Sequence, residues 1–266
     1  MSPAPAVRTL TDDLGAVVRL GEVRRVVSLV PSLTEAIAVT RPGLLVGATD
    51  WCSHPAGLDV ARIGGTKNPD TAAIAALRPD LVVANEEENR VPDLTALRGA
   101  GLAVWVTEVR TLDQAFVSLE RLLTGACALP APPWLAEARR AWAAVPAPAG
   151  PPRRAVVPIW RRPWMVVGRD TFAGDLLRRL GVHQLYADHA ERYPAVPIDE
   201  LRASRPELAV LPDEPYRFSA TDGPEAFPGV PAALVSGRHL TWYGPSLVEA
   251  PGLLAAQLAA AEAHGT

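Results

Sequence analysis

The stretch from Arg78 to Arg90 (RPDLVVANEEENR) returns 127 residues later, from Arg205 to Arg217 (RPELAVLPDEPYR). Arg, Pro, Leu, Val, Glu and Arg keep register between the copies. Each copy follows a short helical run, at 71–77 and 198–203, and reads as a turn, a buried strand and an acidic loop. A chain that repeats this order of elements predicts two α/β lobes built on one plan. Convergent usage in an Ala/Val/Leu/Arg-rich chain is the alternative reading.

The remaining pattern fits that plan. Residues 8–20 alternate around Asp12-Asp13-Leu14-Gly15 and predict a hairpin. The apolar run 25–30 predicts a buried parallel strand. Ser32 and Glu35 then read as a capping box opening a helix to about Val39. Further strands are expected at 44–48, 80–84 and 102–106, with helices at 71–77, 92–100 and 111–123. Such alternation predicts a mostly parallel sheet flanked by helices. Residues 130–144 read as a helix with Trp134, Leu135, Ala138 and Trp142 as packing residues, and Pro146–Pro152 as a boundary. The pattern then restarts, with strands at 155–160, 165–167, 207–211 and 232–235. Helices are expected at 171–180, 198–203 and 246–263. The expected division is an N-terminal lobe (1–129), a connecting helix and linker (130–150) and a C-terminal lobe (151–266), with a ligand cleft between the lobes.

Bulk properties narrow the function. A net charge of −3 and pI of about 6.0 give no electrostatic case for nucleic acid. No apolar run approaches the ~20 residues of a membrane span. Residues 1–6 lack the charged and apolar regions of a secretory signal, so the expectation is a cytoplasmic, soluble protein. A monomer is the default for this architecture. Cys52 and Cys127 lie in unlike contexts, which does not indicate a disulfide. Nucleotide-binding, hydrolase and metalloprotease motifs are missing, which lowers the expectation of an enzyme.

In open parallel sheets ligands bind beyond the carboxyl ends of the strands, and that rule selects the candidate residues. Pro31–Glu35 offers a helix N-terminus there. Trp51, Cys52 and His54 follow the second strand; Cys52 and His54 are metal-donor types, but two donors fall short of a zinc site. Glu86, Glu87, Glu88 and Asn89 follow the third strand and form a cleft rim, a partner-docking loop or simply a solvated acidic loop. Glu214 is the matching carboxylate of the second lobe. The chain has seven tryptophans and four tyrosines, and five of these, Trp160, Trp164, Tyr216, Trp242 and Tyr243, fall in three loops of the second half. Aromatics there suit a large, flat, partly apolar ligand. Arg161, Arg162, Arg217 and Arg238 suit its carboxylates or phosphates.

Taken together, Thr9–Gly15, Arg25–Glu35, Ile74–Val82 and the Trp242-Tyr243 loop resemble the cobalamin and ferric-siderophore substrate-binding proteins of ABC importers, the helical backbone metal receptor group. The matches run over nearly the whole chain in the family's order. The resemblance implies two lobes joined by one long helix within about Pro130–Val145, a link that allows little closure. It implies non-enzymatic binding of a bulky metal chelate, a cobalt corrinoid before a ferric chelate, with no intrinsic cofactor. Trp51, Trp160, Trp164 and Trp242 would line the cleft. An ABC permease would dock through Glu87 and Glu214. The chain shows neither the signal peptide nor the lipoprotein cysteine of exported members. A ferric-siderophore binder, a chelatase-like enzyme using His54, Cys52 and a carboxylate, and a metal-ion binder are the alternatives.

Overall fold

The computed structural model describes residues 7–148 and 150–263. By internal contacts the chain forms two compact units. One takes in the chain up to Glu108, Gln114–Ala136 and Tyr243–Pro245; the other takes in Val109–Asp113, Glu137–Trp242 and the chain from Ser246.

The first unit opens with an antiparallel hairpin, β1 (Arg8–Thr11) and β2 (Val17–Leu20). Strand β3 (Val26–Ser28) leads into α1 (Pro31–Thr40), then β4 (Leu45–Ala48), β5 (Ala61–Arg62) and a small hairpin of β6 (Gly64–Gly65) and β7 (Asn68–Pro69). Helix α2 (Thr71–Ala76), β8 (Leu81–Asn85), α3 (Val91–Gly99), β9 (Val104–Thr107) and α4 (Leu112–Glu120) follow. The sheet is parallel in the order β5-β4-β3-β8-β9. Helix α4 runs into a π-helical turn, Arg121–Ala126.

Helix α5 (Pro133–Ala143) falls within the segment expected to be helical, and the assignment of residues to units changes inside it, between Ala136 and Glu137. The second unit continues with β10 (Arg153–Val156), a hairpin of β11 (Pro158–Arg161) and β12 (Trp164–Val166), α6 (Phe172–Arg179) and β13 (Val182–Gln184). Then come α7 (Ile198–Ala203), β14 (Leu208–Pro212), β15 (Ala232–Val235), α8 (Gly237–Thr241) and α9 (Ala250–Ala263). Its sheet is parallel in the order β13-β10-β14-β15. That is the order β4-β3-β8-β9 of the first unit, so the repeated segment reflects a repeated topology.

The repeat extends to single hydrogen bonds. Arg78 and Arg205 both take a left-handed backbone, with φ of 45° and 52°, and so end the short helices α2 and α7. The proline after each cannot continue a helix. Asp80 Oδ2 then accepts the backbone N–H of Arg25 at 2.9 Å, and Glu207 Oε2 accepts that of Arg154 at 2.9 Å. The backbone returns the contact, from Asp80 N to Arg25 O and from Glu207 N to Arg154 O, each 2.8 Å. Both arginines also donate from the guanidinium to the end of the preceding helix, Arg25 to Leu77 O and Arg154 to Ser204 O.

Four local expectations change. Ser32 does not cap α1: Pro31 opens the helix, Val30 is its N-cap without a side-chain hydrogen bond, and Ser32 and Glu35 are buried inside it. The run 155–160 is two strands, because β11 turns away to pair with β12. The segment between the strand at 232–235 and the Trp242-Tyr243 loop contains a helix, α8, that was not expected, and β13 is likewise an added edge strand.

Candidate functional site

The first unit places its candidates at the carboxyl ends of β4 and β8. Trp51 is 69 % exposed, although the loop around it is well anchored. Arg62 holds that loop by donating to the carbonyls of Thr49 and Cys52, each at 2.9 Å. Cys52 is 0 % exposed, with Sγ 3.0 Å from Thr34 Oγ1 and 3.1 Å from Thr49 Oγ1. Burial raises its thiol pKa, against those hydrogen bonds. Cys52 is thereby corrected from a loop donor to a packing residue, since a thiol sealed between two threonines does not face a ligand. His54 is half-buried, with Nδ1 3.1 Å from Ser53 Oγ. Among the described residues no group of three or more His, Cys, Asp or Glu is placed to hold a metal ion.

The acidic loop is folded rather than freely solvated. Asn85 Oδ1 accepts the backbone N–H groups of Glu87 and Glu88, while the buried Asn89 donates to Thr66 O and Leu29 O. Asn89 is therefore a clasp holding the loop to β3 and the β6–β7 hairpin. Lys67 donates to the Glu87 carbonyl. Burial holds the Glu88 carboxyl above its usual range; Lys67 opposes the rise and Glu87 adds to it. Glu86, Glu87 and Glu88 are all half-buried. Tyr243 packs in this unit and is only 7 % exposed, its hydroxyl beside Thr107 and Ser32.

The second unit gathers its aromatics at the carboxyl ends of β10 and β14. Trp160 is 42 % exposed and meets Tyr216 edge-on at 5.7 Å. Tyr216 packs on Phe218 at 4.7 Å and donates its hydroxyl to Asp222 Oδ2 at 2.7 Å. Trp164 stacks on Phe218 at 6.0 Å and touches Phe227, so most of its ring belongs to the core of this unit. Arg161 lies over Trp164 and pairs with both Asp222 and Glu225.

A second cluster follows β15. Gly237 opens α8 with no room for a side chain: a Cβ there would sit 2.4 Å from Glu214 Cγ and 2.6 Å from Glu214 O. Asp213 Oδ1 accepts the Gly237 N–H at 2.7 Å, which fixes the approach. Glu214 is thus held beside Arg238 and hydrogen-bonded to the Trp242 side chain. Arg238 in turn lies over the Trp242 ring at 5.9 Å. Burial and the adjacent Asp213 raise the Glu214 pKa; Arg238 and Trp242 oppose the rise. The sequence singled out Glu214 and Trp242 separately, but nothing in it announced that one orients the other.

No family model matches the chain. A vitamin B12-binding protein of Vibrio cholerae serotype O1 is 23 % identical over 194 residues, 69 % of this chain and 68 % of the relative. The crystal structure of the periplasmic vitamin B12-binding protein BtuF of Vibrio cholerae superposes with a TM-score of 0.73 at 19 % identity, covering 91 % of this chain and 98 % of that one. The chain is thus similar in sequence to vitamin B12-binding proteins and shares the fold of periplasmic vitamin B12- and heme-binding proteins. The periplasmic heme-binding protein RhuT from Roseiflexus sp. RS-1 shares the fold, with a TM-score of 0.70, 18 % identity, and coverage of 90 % and 99 %. The names of these relatives describe binding proteins. No helix among the described residues is long and apolar enough to cross a membrane.

Proposed function

We propose that this protein binds a corrinoid, gripping the faces of the macrocycle with indole and phenol rings. Exposed aromatic surface at the strand ends carries this reading: Trp51 in one unit and Trp160 in the other present large apolar rings to water on well-ordered loops. Water-facing indole is costly to maintain and matches a flat, partly apolar ligand. Trp242, oriented by Glu214 and Arg238, supplies a third ring. Kinship with vitamin B12-binding proteins supports the same ligand class. A rigid macrocycle loses little conformational freedom, so affinity between micromolar and nanomolar, about −8 to −12 kcal/mol, is expected.

Arg162 and Arg217 are exposed in the same loops, which favours a second reading, an anionic ferric siderophore. Arg161 does not add to it, because two carboxylates already neutralise its charge. An ABC permease as partner belongs to the same proposal, with Glu87 on the acidic loop as a contact. Glu214, tied to Trp242, serves the ligand wall instead.

Tryptophan-fluorescence titration with cobalamin, cobinamide, haem and a panel of ferric siderophores tests this. Saturable quenching by the corrinoids, insensitive to salt, is the expected result. Salt-sensitive binding of siderophores alone would move the assignment to the second reading. Silence from every chelate would end both.

A further inference from the structure

Arg161 follows Trp160 on β11, and two carboxylates hold its guanidinium, Asp222 through one nitrogen and Glu225 through another. The guanidinium carbon lies 5.4 Å from the ring centroid of Trp164, its partner across the β11–β12 hairpin. An arginine filled in this way turns its fork of donors to protein oxygens rather than to a ligand. Asp222 also holds the phenol: its other oxygen accepts the Tyr216 hydroxyl at 2.7 Å. One carboxylate is therefore all that separates the guanidinium from Tyr216, which meets Trp160 edge-on.

Both carboxylates come from one well-fixed turn. Ser219 and Asp222 exchange backbone hydrogen bonds, N to O, at 2.9 and 3.3 Å. Gly223 takes a φ of 130°, which L side chains rarely adopt, and a Cβ there would sit 2.7 Å from Phe218 Cδ1. Its N–H donates to Glu225 Oε2 at 2.6 Å, leaving Oε1 for Arg161. Phe218 in turn packs against Tyr216 and Trp164. Turn, carboxylates and aromatic rings thus form one packed piece. Stability does not account for the pairing. The side chains of Asp222 and Glu225 are 38 % and 50 % exposed, and ion pairs this wet add little. Two carboxylates also exceed what one guanidinium neutralises, which leaves an excess of negative charge beside the rings. Arg162 and Arg217 are exposed and stand outside this brace.

We propose that Asp222 and Glu225 determine specificity at the aromatic wall: by occupying Arg161 they select macrocycles edged with neutral amides over those edged with carboxylates. This rests on the corrinoid reading above and names the class of corrinoid. A carboxylate on the ligand has to displace one that the turn already holds in place, and it meets the other at close range. Repulsion of the competitor is a common source of discrimination between similar ligands.

The test is calorimetric titration of the full chain with two probes that share the macrocycle. Cobinamide carries amides at its edge; cobyrinic acid carries carboxylates. Wild type should bind cobinamide about tenfold more tightly or better. Glu225→Gln should shift the ratio of the two affinities severalfold toward cobyrinic acid. Asp222→Asn combined with Glu225→Gln should shift it by about tenfold, an effect that about 0.5 M salt suppresses. Adding Arg161→Gln should cancel the shift, because no guanidinium is then released. Damaged packing weakens both probes together and cannot favour one; should the double variant not fold, Glu225→Gln alone decides. Equal binding of the two probes by wild type, an unchanged ratio in the folded variants, or a shift that survives Arg161→Gln would overturn the proposal and leave the corrinoid reading standing. Binding of neither probe by wild type would overturn the corrinoid reading and this proposal with it.

Discussion

Replacing Trp160 with alanine isolates the contribution of one ring to chelate binding. Trp160 is 42 % exposed. A tryptophan side chain can bury up to about 250 Å², so about 100 Å² of this one is open to a ligand. At about 25 cal/mol per Å² its burial contributes about 2.5 kcal/mol. Losing it should raise the corrinoid Kd about 60-fold. The fold should barely notice, because the ring is half-open to water and its edge-on pair with Tyr216 is worth about 1 kcal/mol. Calorimetric titration of wild type and Trp160→Ala with cobalamin, alongside urea melts of both, gives the two numbers needed. A variant that melts like wild type and binds within threefold of it would refute the idea that this exposed indole receives the ligand.

Two further outcomes follow from the cluster after β15. Gly237→Ala should destabilise the protein by about 2–3 kcal/mol in urea, because the new Cβ meets Glu214 backbone that has no rotamer to yield. Gly252→Ala in α9, where a Cβ meets nothing within 4 Å, should instead gain about 0.5–1 kcal/mol. Glu214 titrates above its usual range, so the folded state binds its proton more readily than the unfolded chain. Its contribution is therefore full below the unfolded carboxyl pKa of about 4.3 and declines as pH rises toward the folded value. Glu214→Gln should flatten that decline, and a pH–stability curve unchanged by the substitution would contradict the assignment.

Sequence alone reached the two-unit plan because the turn after each short helix is chemically demanding. An arginine in a left-handed turn, a proline after it and a carboxylate reaching the first strand leave a mark at Arg78–Asp80 and at Arg205–Glu207. The parallel strands were legible as unbroken apolar runs. The Ser32–Glu35 pattern misled because proline at the first helical position outranked it, drawing both residues into the buried turn. Cys52 looked like a ligand by residue type, but only tertiary packing shows Thr34, 18 residues away in sequence, closing over it. Helix α8 escaped notice because five residues carry too little periodicity, and its position depends on Asp213 and Glu214 gripping Gly237. Aromatic composition flagged Trp164 and Trp160 equally, yet only the packing separates a ring given to the core from one left to water.

The paired staples at Asp80 and Glu207 have a consequence for how such a protein can change. They fasten the amino-terminal ends of the central strands, and they are built alike in both units. The opposite ends differ throughout: an acidic loop clasped by Asn89 after β8, an aromatic loop braced by Asp222 after β14. On the proposed reading, the fastening and the ligand-facing loops therefore occupy opposite poles of each sheet. Whole loops can be exchanged at one pole while the fastening at the other is left alone, so a chain of this design can be retuned to new cargo without being refounded.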